Sequence, residues 1–306
     1  MKQYDLIIVG SGPAGLSASI YARRAEISTL VIEKSPMSGG QIVNTYEVDN
    51  YPGIPEISGF DLAMKFRKHS DALGATFVEG DVVQFRVEDQ NKYITLGNGD
   101  TYRCKAIIIA TGAVSRHLNI PGEDRLSGMG VSYCATCDGA FFRNKIVAVV
   151  GGGDTALEDA IFLSRLCAKV YIIHRRHEFR AVKSLCSSVE KASNIEVMWN
   201  SKVKEIRGEE QVESLLIQNI VTEENNILQI NGLFIAIGTV PNSELYRDIV
   251  SVDNSGYIIA GEDCRTNVPG IFAAGDIRTK QLKQVITAAA DGANAITSVE
   301  RYFSLI

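Results

Sequence analysis

Long apolar runs and an excess of basic residues are both missing from this 306-residue chain. No stretch approaches the roughly 20 consecutive apolar residues of a membrane-spanning helix, so we expect no membrane insertion. The formal net charge is −5 and the pI is about 5.5, which argues against nucleic acid or an anionic membrane as the main partner. The opening MKQYDLIIVG has one basic residue and a short apolar run that ends at a Gly-rich turn, which predicts a strand rather than a signal peptide.

Cysteine is also scarce. Six cysteines in a chain of this length are too few for the disulfide framework of a secreted protein. A reversible catalytic pair with scattered buried thiols suits a reducing compartment, so we expect a cytoplasmic protein. Hydrophobic residues make up 45% of the chain and charged residues 22%, which is enough to bury full-sized cores. The length accommodates about two domains.

Two cysteines stand apart from the others, in the motif CATCD at residues 134–138. C-x-x-C serves as half of a zinc site, as a haem attachment or as a reversible dithiol. Haem attachment needs His after the second Cys, where this chain has Asp138. A closed zinc site normally needs four ligands, yet the other cysteines are isolated and His174 and His177 lie in an arginine-rich run that would repel a cation. We therefore expect no metal and favour a redox role for Cys134 and Cys137.

The N-terminal segment has the pattern of a βαβ dinucleotide-binding unit. Strands are predicted at Tyr4–Val9 and Thr29–Ile32, with a helix at Leu16–Ala25 between them. The turn before the helix permits close approach of the backbone to a pyrophosphate, and the helix N-terminus faces the phosphates. Glu33 follows the second strand, where an acid binds a ribose hydroxyl pair. The turn consists of Gly10, Ser11, Gly12, Pro13, Ala14 and Gly15.

Residues 34–60 are rich in Gly, Pro and Asn, and no element is predicted for them. A structureless loop of this length is uncommon unless it is functional, so we expect it to wrap a ligand. A helix is predicted at Phe60–Leu73. The alternating pattern of Thr76–Leu96 predicts antiparallel strands, and a buried strand at Lys105–Ala110 ends at Thr111-Gly112.

The same order of elements recurs in the second part of the chain. Strands are predicted at Lys145–Val150 and Lys169–Ile173, with GGGDTA and a helix at Ala156–Leu166 between them. The second strand ends in arginines rather than an acid, and guanidinium groups suit a 2′-phosphate in charge and geometry, which predicts NADPH. The candidate NADPH contacts are Gly151, Gly153, Asp154, Thr155, Ala156, His174, Arg175, Arg176 and Arg180.

The C-terminal part predicts how the two modules are connected. Ile195–Ile230 alternates like antiparallel strands, Gly232–Ile237 is a strand that ends at Gly238, and Gly270–Asp276 is a strand that returns to the first module before a helix at Ile286–Arg301. We expect an α/β fold with two Rossmann-like, three-layer ββα domains. Residues 1–113 and 243–306 would form a discontinuous FAD-binding domain, and residues 114–242 an inserted NADPH-binding domain with the C-x-x-C. Glu33 suits an adenosine ribose without a phosphate, so the first module fits FAD or NAD, and FAD is favoured because a flavin mediates between hydride and thiol chemistry.

Taken together, the motifs GSGPAG, GGQ, ATGA, CATCDG, GGGDTALE, HRRHEFR and FAAGD make the chain resemble the low-molecular-weight, bacterial-type thioredoxin reductases over essentially its whole length. The resemblance implies a homodimer that passes electrons from NADPH through FAD and a disulfide to thioredoxin. It implies that Cys137 faces the flavin, that Cys134 attacks the partner disulfide and that Asp138 is the acid for the thiol proton. Besides the first turn and Glu33, the implied FAD contacts are Gly39, Gly40, Gln41, Asn50, Thr111, Gly112, Gly275, Asp276, Lys283, Gln284 and Val285.

Two residues depart from the pattern of that family. Asp154 stands where Asn is common, and a carboxylate near phosphates weakens binding unless it caps the helix. Lys283 stands where Arg is frequent, which keeps the positive charge but loses the planar set of hydrogen-bond donors of a guanidinium group. Two other functions stay open: a flavoprotein subunit of the alkyl hydroperoxide reductase type, and a redox-sensing or zinc-holding protein that binds nucleotides without turnover.

Overall fold

The computed structural model describes residues 1–45 and 47–306, so Tyr46, inside the predicted loop, lies outside the described residues. The chain divides into two compact units. We call Met1–Val114 with Val240–Ile306 the discontinuous unit, and Ser115–Thr239 the inserted unit.

A five-stranded parallel sheet forms the centre of the discontinuous unit. Across the sheet its strands are Ile271–Ala273, Ala106–Ile109, Leu6–Val9, Thr29–Glu33 and Thr76–Glu79. Every residue of the strand Leu6–Val9 is buried, as its unbroken apolar composition predicts for a parallel strand covered on both faces.

Helices and a second sheet cover the two faces of this parallel sheet. Leu6 and Ile8 pack with residues of the helices Pro13–Arg24 and Val285–Phe303. Ile7 and Val9 point to the other face and pack with the second sheet. That sheet contains Lys2–Gln3, Thr101–Cys104, Asn91–Leu96 and Val82–Glu88, and the unit also has the helix Gly59–Ala72.

The inserted unit repeats this arrangement. Across its five-stranded parallel sheet lie Val131–Ser132, Gly232–Ile235, Ile146–Val150, Lys169–Ile173 and Ile195–Met198. Val147 and Val149 pack with the helix Asp154–Ser164, whereas Ala148 and Val150 pack with an antiparallel sheet. That sheet contains Ser201–Arg207, Ser214–Asn219 and Asn225–Gln229. The predicted α/β fold with a three-layer Rossmann-like arrangement is confirmed in each unit.

Shorter elements complete the chain. The inserted unit also has the helices Ala135–Asp138 and Lys183–Lys191 and the 3₁₀ helix Gly139–Phe142. Ala113–Ser115 and Thr239–Pro241 form a two-stranded sheet. Among the described residues, no helix is both long enough and apolar enough to cross a membrane.

The predicted antiparallel strands were wrong at the start of each alternating stretch. Thr76–Glu79 and Ile195–Met198 instead pair in parallel, at the edge of the central sheet of their own unit. Both are only partly buried. Alternation reports a half-buried strand and carries no information about the direction of its neighbour.

The predicted loop 34–60 also has structure of its own. A 3₁₀ helix spans Gly40–Asn44, and Val48 bridges to Ile57. The buried side chains of Ile42, Val48 and Ile57 pack with Leu62 and Ala63 of the following helix. This small core gives the segment a fixed shape, which its Gly and Pro content had hidden.

Candidate functional site

The first glycine turn is built by two tight backbone contacts. Gly10 has a φ of +101°, and a Cβ there would lie 2.4 Å from the carbonyl oxygen of Ala110. A Cβ on Gly15 would lie 1.9 Å from the carbonyl oxygen of Gly10. Only glycine is compatible with either position. The turn therefore packs backbone directly against backbone, with no space for a side chain at Gly10 or Gly15.

Gly12 differs, because nothing in the protein requires a glycine there. Its φ of −69° is ordinary, and the nearest atoms to a built Cβ are 4.0 Å away. Gly12 is also the N-cap of the helix Pro13–Arg24 and provides no capping side chain. The open space and the unsatisfied N–H groups of the helix N-terminus suit a pyrophosphate that approaches the backbone closely.

Glu33 folds back onto this turn. Its Oε2 accepts hydrogen bonds from the backbone N–H of Ser11 at 2.7 Å and from the Ser11 hydroxyl at 2.6 Å, and its Oε1 accepts from Ser35 N–H at 3.0 Å. An ionised carboxylate has about four acceptor positions. Glu33 is thus held beside the turn with capacity left for a ribose hydroxyl.

The segment Gly39 to Gln41 joins the same turn. Gly39 N–H donates to the Ser11 carbonyl at 2.8 Å, and a Cβ on Gly40 would lie 3.3 Å from Gly12 Cα. The side-chain amide of Gln41 donates to the carbonyl of Ala113. The structure therefore brings this predicted cofactor segment to the first glycine turn.

Other predicted FAD contacts pair with one another or with residues that the motifs had not indicated. Asn50 Nδ2 donates to Gln284 Oε1 at 2.9 Å. Gln284 is the N-cap of the closing helix, which Val285 begins. Beside Gly112, the Thr111 hydroxyl donates to the Asn242 carbonyl at 2.9 Å, and Asn242 Nδ2 donates to the Thr111 carbonyl at 2.8 Å. Asn242 was missed because it lies far from Thr111 in the chain.

Asp276 presents an unsatisfied polar atom. Its Oδ1 is buried and has no hydrogen-bond partner among the described residues. Burial raises the pKa of this carboxyl, and the nearby ammonium groups of Lys280 and Lys283 oppose that rise. A buried acceptor without a donor is costly. Asp276 is therefore suited to accept a hydrogen bond from a bound ligand.

A buried ionic cluster, which sequence motifs did not reveal, supports the Gly275-Asp276 turn. Asp291 Oδ2 accepts from Gly275 N–H at 2.8 Å, from Arg278 Nε at 2.8 Å and from Lys280 Nζ at 2.9 Å. Asp291 Oδ1 accepts from Arg278 Nη2 at 2.7 Å. Asp291 and Arg278 are almost fully buried. The cluster fixes the turn that follows the strand Ile271–Ala273 and carries Asp276.

These features fit FAD in the discontinuous unit. The room at Gly12, the carboxylate of Glu33 and the unsatisfied oxygen of Asp276 match a pyrophosphate and hydroxyl groups. Lys283 is engaged differently from the arginine that it replaces, because its Nζ lies 3.3 Å from the centroid of the Tyr257 ring. That cation–π contact uses the point charge of lysine and needs no planar set of donors.

The second glycine turn repeats the backbone of the first. A Cβ on Gly151 would lie 2.4 Å from the carbonyl oxygen of Ala236 and 2.6 Å from the Cβ of Ala156. Gly153 has nothing within 4 Å of a built Cβ, and it is the N-cap of the helix Asp154–Ser164. The equivalent open position again leaves room for phosphate. Thr155 is exposed in the first turn of this helix.

Asp154 does not cap the helix, which was one of the two roles that the sequence left open for it. It is the first helical residue, and its Oδ1 accepts from Val182 N–H at 2.8 Å. A carboxylate in the first turn still interacts favourably with the helix dipole. Asp154 therefore ties the turn to the segment that precedes the helix Lys183–Lys191.

The basic segment after the second strand separates into a buried and an exposed part. His174 is 6% exposed, its Nε2 donates to the Glu178 carbonyl at 3.0 Å, and its ring lies where a Cβ on Gly152 would be. Burial lowers its pKa, and Arg176 and Arg175 lower it further. Arg175, Arg176 and Arg180 are exposed. The arginines can meet a phosphate, whereas His174 supports the turn.

The two cysteines of the C-x-x-C motif, Cys134 and Cys137, form a disulfide in the inserted unit. Cys134 is the N-cap of the short helix Ala135–Asp138. Asp138 Oδ2 accepts a hydrogen bond from the Ser132 hydroxyl at 2.6 Å. Burial raises the pKa of Asp138, and the bond from Ser132 lowers it. Ser132 was missed, because a serine two residues before the motif forms no pattern with it.

Comparison with known proteins agrees with this geometry. The sequence profile of the pyridine nucleotide-disulphide oxidoreductases matches residues 4–292. The chain belongs to this family. A thioredoxin reductase of Peptoclostridium acidaminophilum is 45% identical over 98% of this chain and 96% of its own length. Another, of Listeria innocua, is 44% identical over 98% of this chain and 94% of its own.

Solved structures of the family agree as well. The crystal structure of thioredoxin reductase from Streptococcus pyogenes is 41% identical to this chain, with a TM-score of 0.95 and coverage of 99% of both chains. As a member of the family, the chain has its disulfide at Cys134–Cys137. The relatives resemble it over nearly the full length, so both dinucleotide units are included in the match.

Proposed function

We propose that this chain is an NADPH-dependent thioredoxin-disulfide reductase that passes electrons through FAD and the Cys134–Cys137 pair to oxidised thioredoxin. One observation carries the proposal: the disulfide and the half-buried carboxyl of Asp138 occur in the same unit as the second glycine turn and the exposed arginines. The names of the relatives support thioredoxin as the substrate.

The two units take different nucleotides in this proposal. Residues 1–113 and 243–306 form the FAD-binding domain, and residues 114–242 form the NADPH-binding domain. When bound, FAD accepts hydride equivalents from NADPH and supplies electrons to disulfide chemistry. Gly12 leaves room for its pyrophosphate, Glu33 binds a ribose hydroxyl pair, and Asp276 accepts a further hydroxyl. Arg175 and Arg176 hold the 2′-phosphate of NADPH.

The protein residues then carry out a dithiol–disulfide exchange. Reduction of the Cys134–Cys137 disulfide consumes two electrons and, when both sulfurs end as thiols, two protons. The Cys134 thiolate attacks the thioredoxin disulfide, one S–S bond forms as the other breaks, and the leaving thiolate takes a proton. Cys137 then attacks the mixed disulfide, which restores Cys134–Cys137 and releases the second thiol. Asp138 is the acid for these protons.

The remaining parts of the proposal concern assembly and location. The family resemblance supports a homodimer. A reversible dithiol with scattered buried thiols supports a reducing, cytoplasmic compartment.

An anaerobic titration of the purified protein with NADPH tests the proposal. We expect a flavin spectrum that bleaches with NADPH and recovers when oxidised thioredoxin is added. Faster bleaching by NADH than by NADPH would instead favour the alkyl hydroperoxide reductase type. A protein without flavin absorbance, with stoichiometric zinc, would favour the sensing or zinc-holding alternative and contradict the proposal.

A further inference from the structure

Ser132 is a buried polar residue that connects the two ends of the redox motif. It is 5% exposed, in the strand Val131–Ser132 just before the motif. Its Oγ lies 2.6 Å from Asp138 Oδ2, 3.1 Å from the backbone nitrogen of Cys134 and 3.3 Å from the Cys134 carbonyl oxygen. One hydroxyl therefore contacts both the reactive cysteine's backbone and the candidate proton carrier.

These three contacts match the hydrogen-bonding capacity of a hydroxyl in either protonation state of Asp138. A serine hydroxyl has one donor and two acceptor positions. With Asp138 ionised, Ser132 donates to Oδ2 and accepts from Cys134 N–H. With Asp138 protonated, the carboxyl O–H donates to Ser132 Oγ, and the serine hydrogen turns to the Cys134 carbonyl. No buried polar group loses its partner in either state, which avoids the cost of an orphaned group.

The other charged groups near Asp138 do not replace this contact. The 3₁₀ helix Gly139–Phe142 and the strand Gly232–Ile235 contain no titratable residue. The helix Asp154–Ser164 packs against the short helix Ala135–Asp138. On that helix Asp154 is bonded to Val182 N–H, and Glu158 acts on Asp159, whose pKa is raised to about 7 mainly by burial.

The preceding loop contains a second polar cluster that is engaged within itself. Tyr133 donates to the buried Glu123 at 2.8 Å, and its hydroxyl lies 3.0 Å from His117 Nδ1. Glu123 also accepts the backbone N–H groups of Leu118 and Asn119, at 3.0 and 2.7 Å. Among the described residues, Ser132 is the hydrogen-bond donor to the Asp138 carboxylate.

We propose that Ser132 is a positioning residue that lets Asp138 hold or release a proton without moving, by switching its own hydroxyl between the Asp138 carboxylate and the Cys134 carbonyl. The role of Asp138 in proton transfer rests on the proposed function. In the exchange step the carboxyl O–H gives its proton to the leaving thiolate, and the Ser132 hydrogen then turns to the new carboxylate. Charge-assisted bonds are stronger than neutral ones, so Ser132 favours the ionised form.

Substitutions at position 132 test the hydroxyl directly. Ser132→Thr keeps the hydroxyl and adds a methyl group, Ser132→Val has the shape of the Ser132→Thr side chain with a methyl group in place of the hydroxyl, and Ser132→Ala removes the hydroxyl with the least bulk. The readout is an infrared titration of the Asp138 carboxyl band in the oxidised holoenzyme, assigned by its loss in Asp138→Asn. We expect Ser132→Ala and Ser132→Val to shift the Asp138 titration to higher pH and Ser132→Thr to leave it near that of the unmodified protein.

A kinetic measurement extends the same test. The pH inflection that Asp138→Asn removes from thioredoxin reduction should move upward in Ser132→Ala and return in Ser132→Thr. In the Asp138→Asn background, Ser132→Ala should leave the pH dependence of the rate unchanged. An Asp138 titration that is the same with and without the hydroxyl would overturn the inference. A protein inactive towards thioredoxin would count against the proposed function alone, because the infrared titration needs no thioredoxin. Thermal melting shows whether each variant is folded.

Discussion

The two dinucleotide turns have the same backbone and differ in the side chain that folds back onto it. In the discontinuous unit, the second strand ends at Glu33, whose carboxylate accepts both hydrogen bonds that Ser11 donates. At the equivalent position of the inserted unit, the ring of His174 packs against Gly152. The first turn is thus held by an acid, and the second by a neutral ring with exposed arginines beyond it.

This difference separates what holds a phosphate from what selects a nucleotide. A Cβ on Gly10 or on Gly151 would lie 2.4 Å from a carbonyl oxygen, whereas Gly12 and Gly153 leave open space. Backbone alone therefore leaves room for a pyrophosphate twice. The choice of nucleotide then depends on the charge after the second strand, where a carboxylate suits hydroxyls and guanidinium groups suit a phosphate.

The largest effect that we expect comes from the feature that only the inserted unit has. Cys134→Ser and Cys137→Ser should each lower the rate of thioredoxin reduction to background, because dithiol–disulfide exchange needs both sulfurs. Bleaching of the flavin by NADPH should persist, since hydride transfer uses neither sulfur. Stopped-flow absorbance and a thioredoxin assay separate the two steps. Cys186→Ser, which removes a half-buried thiol of the same unit, is the control and should keep both. Normal thioredoxin reduction by either motif variant would contradict the assignment.

Substitution of Gly12 or Gly153, the two glycines that leave open space, should affect one nucleotide site without the other. Gly12→Val places a side chain where the pyrophosphate of FAD would lie, and we expect the protein to be purified largely without flavin. Gly153→Val should keep its flavin and raise KM for NADPH by roughly tenfold or more. Each variant is the control for the other, because both glycines have room for a side chain in the protein itself. Equal loss of flavin in both would show that the turns are not independent.

Removal of the selecting charges should have a smaller effect. Arg175→Ala combined with Arg176→Ala should lower kcat/KM for NADPH by about tenfold or more and leave NADH nearly unchanged, because charge-assisted bonds to the 2′-phosphate contribute about 1.5–3 kcal/mol each. Arg165→Ala, an exposed arginine elsewhere in the inserted unit, is the matched control. Steady-state kinetics with both nucleotides gives the result. If the unmodified protein uses NADH and NADPH equally well, the arginines do not select between the two nucleotides.

The smallest expected effect concerns the helices that follow the two turns. Ala18 is buried in the first helix, and the equivalent residue of the second is Asp159, whose pKa burial raises to about 7. The raised pKa means that the folded protein favours the protonated carboxyl of Asp159. The contribution of this carboxyl to stability is therefore present below about pH 4 and is lost as pH rises through about 7. Asp159→Asn should therefore raise the melting temperature at pH 8 by a few degrees and change it less at pH 5. Thermal melts at the two pH values test this, and an equal shift of the melting temperature at both would contradict a raised pKa of Asp159.

The local motifs of the sequence determined the two glycine turns and the redox pair of this protein. The glycine turns, the C-x-x-C pair and the order of strands and helices depend on residues that are neighbours in the chain, so spacing reports them directly. Two Rossmann-like modules, the redox role of Cys134 and Cys137, and the family could therefore be predicted. The contacts of Asn50, Asp276 and the arginines with cofactors stay predictions, because no ligand tests them.

Tertiary structure alone decided which residues support those motifs. Asp291 reaches Gly275 and Arg278 from another element, and the direction of the edge strands Thr76–Glu79 and Ile195–Met198 depends on their neighbours. The burial of His174 and the bond between Ser132 and Asp138 likewise arise only when separate segments pack. A sequence pattern records the periodicity and spacing along the chain, whereas the partner of a buried polar group is whichever donor or acceptor the fold brings within about 3 Å.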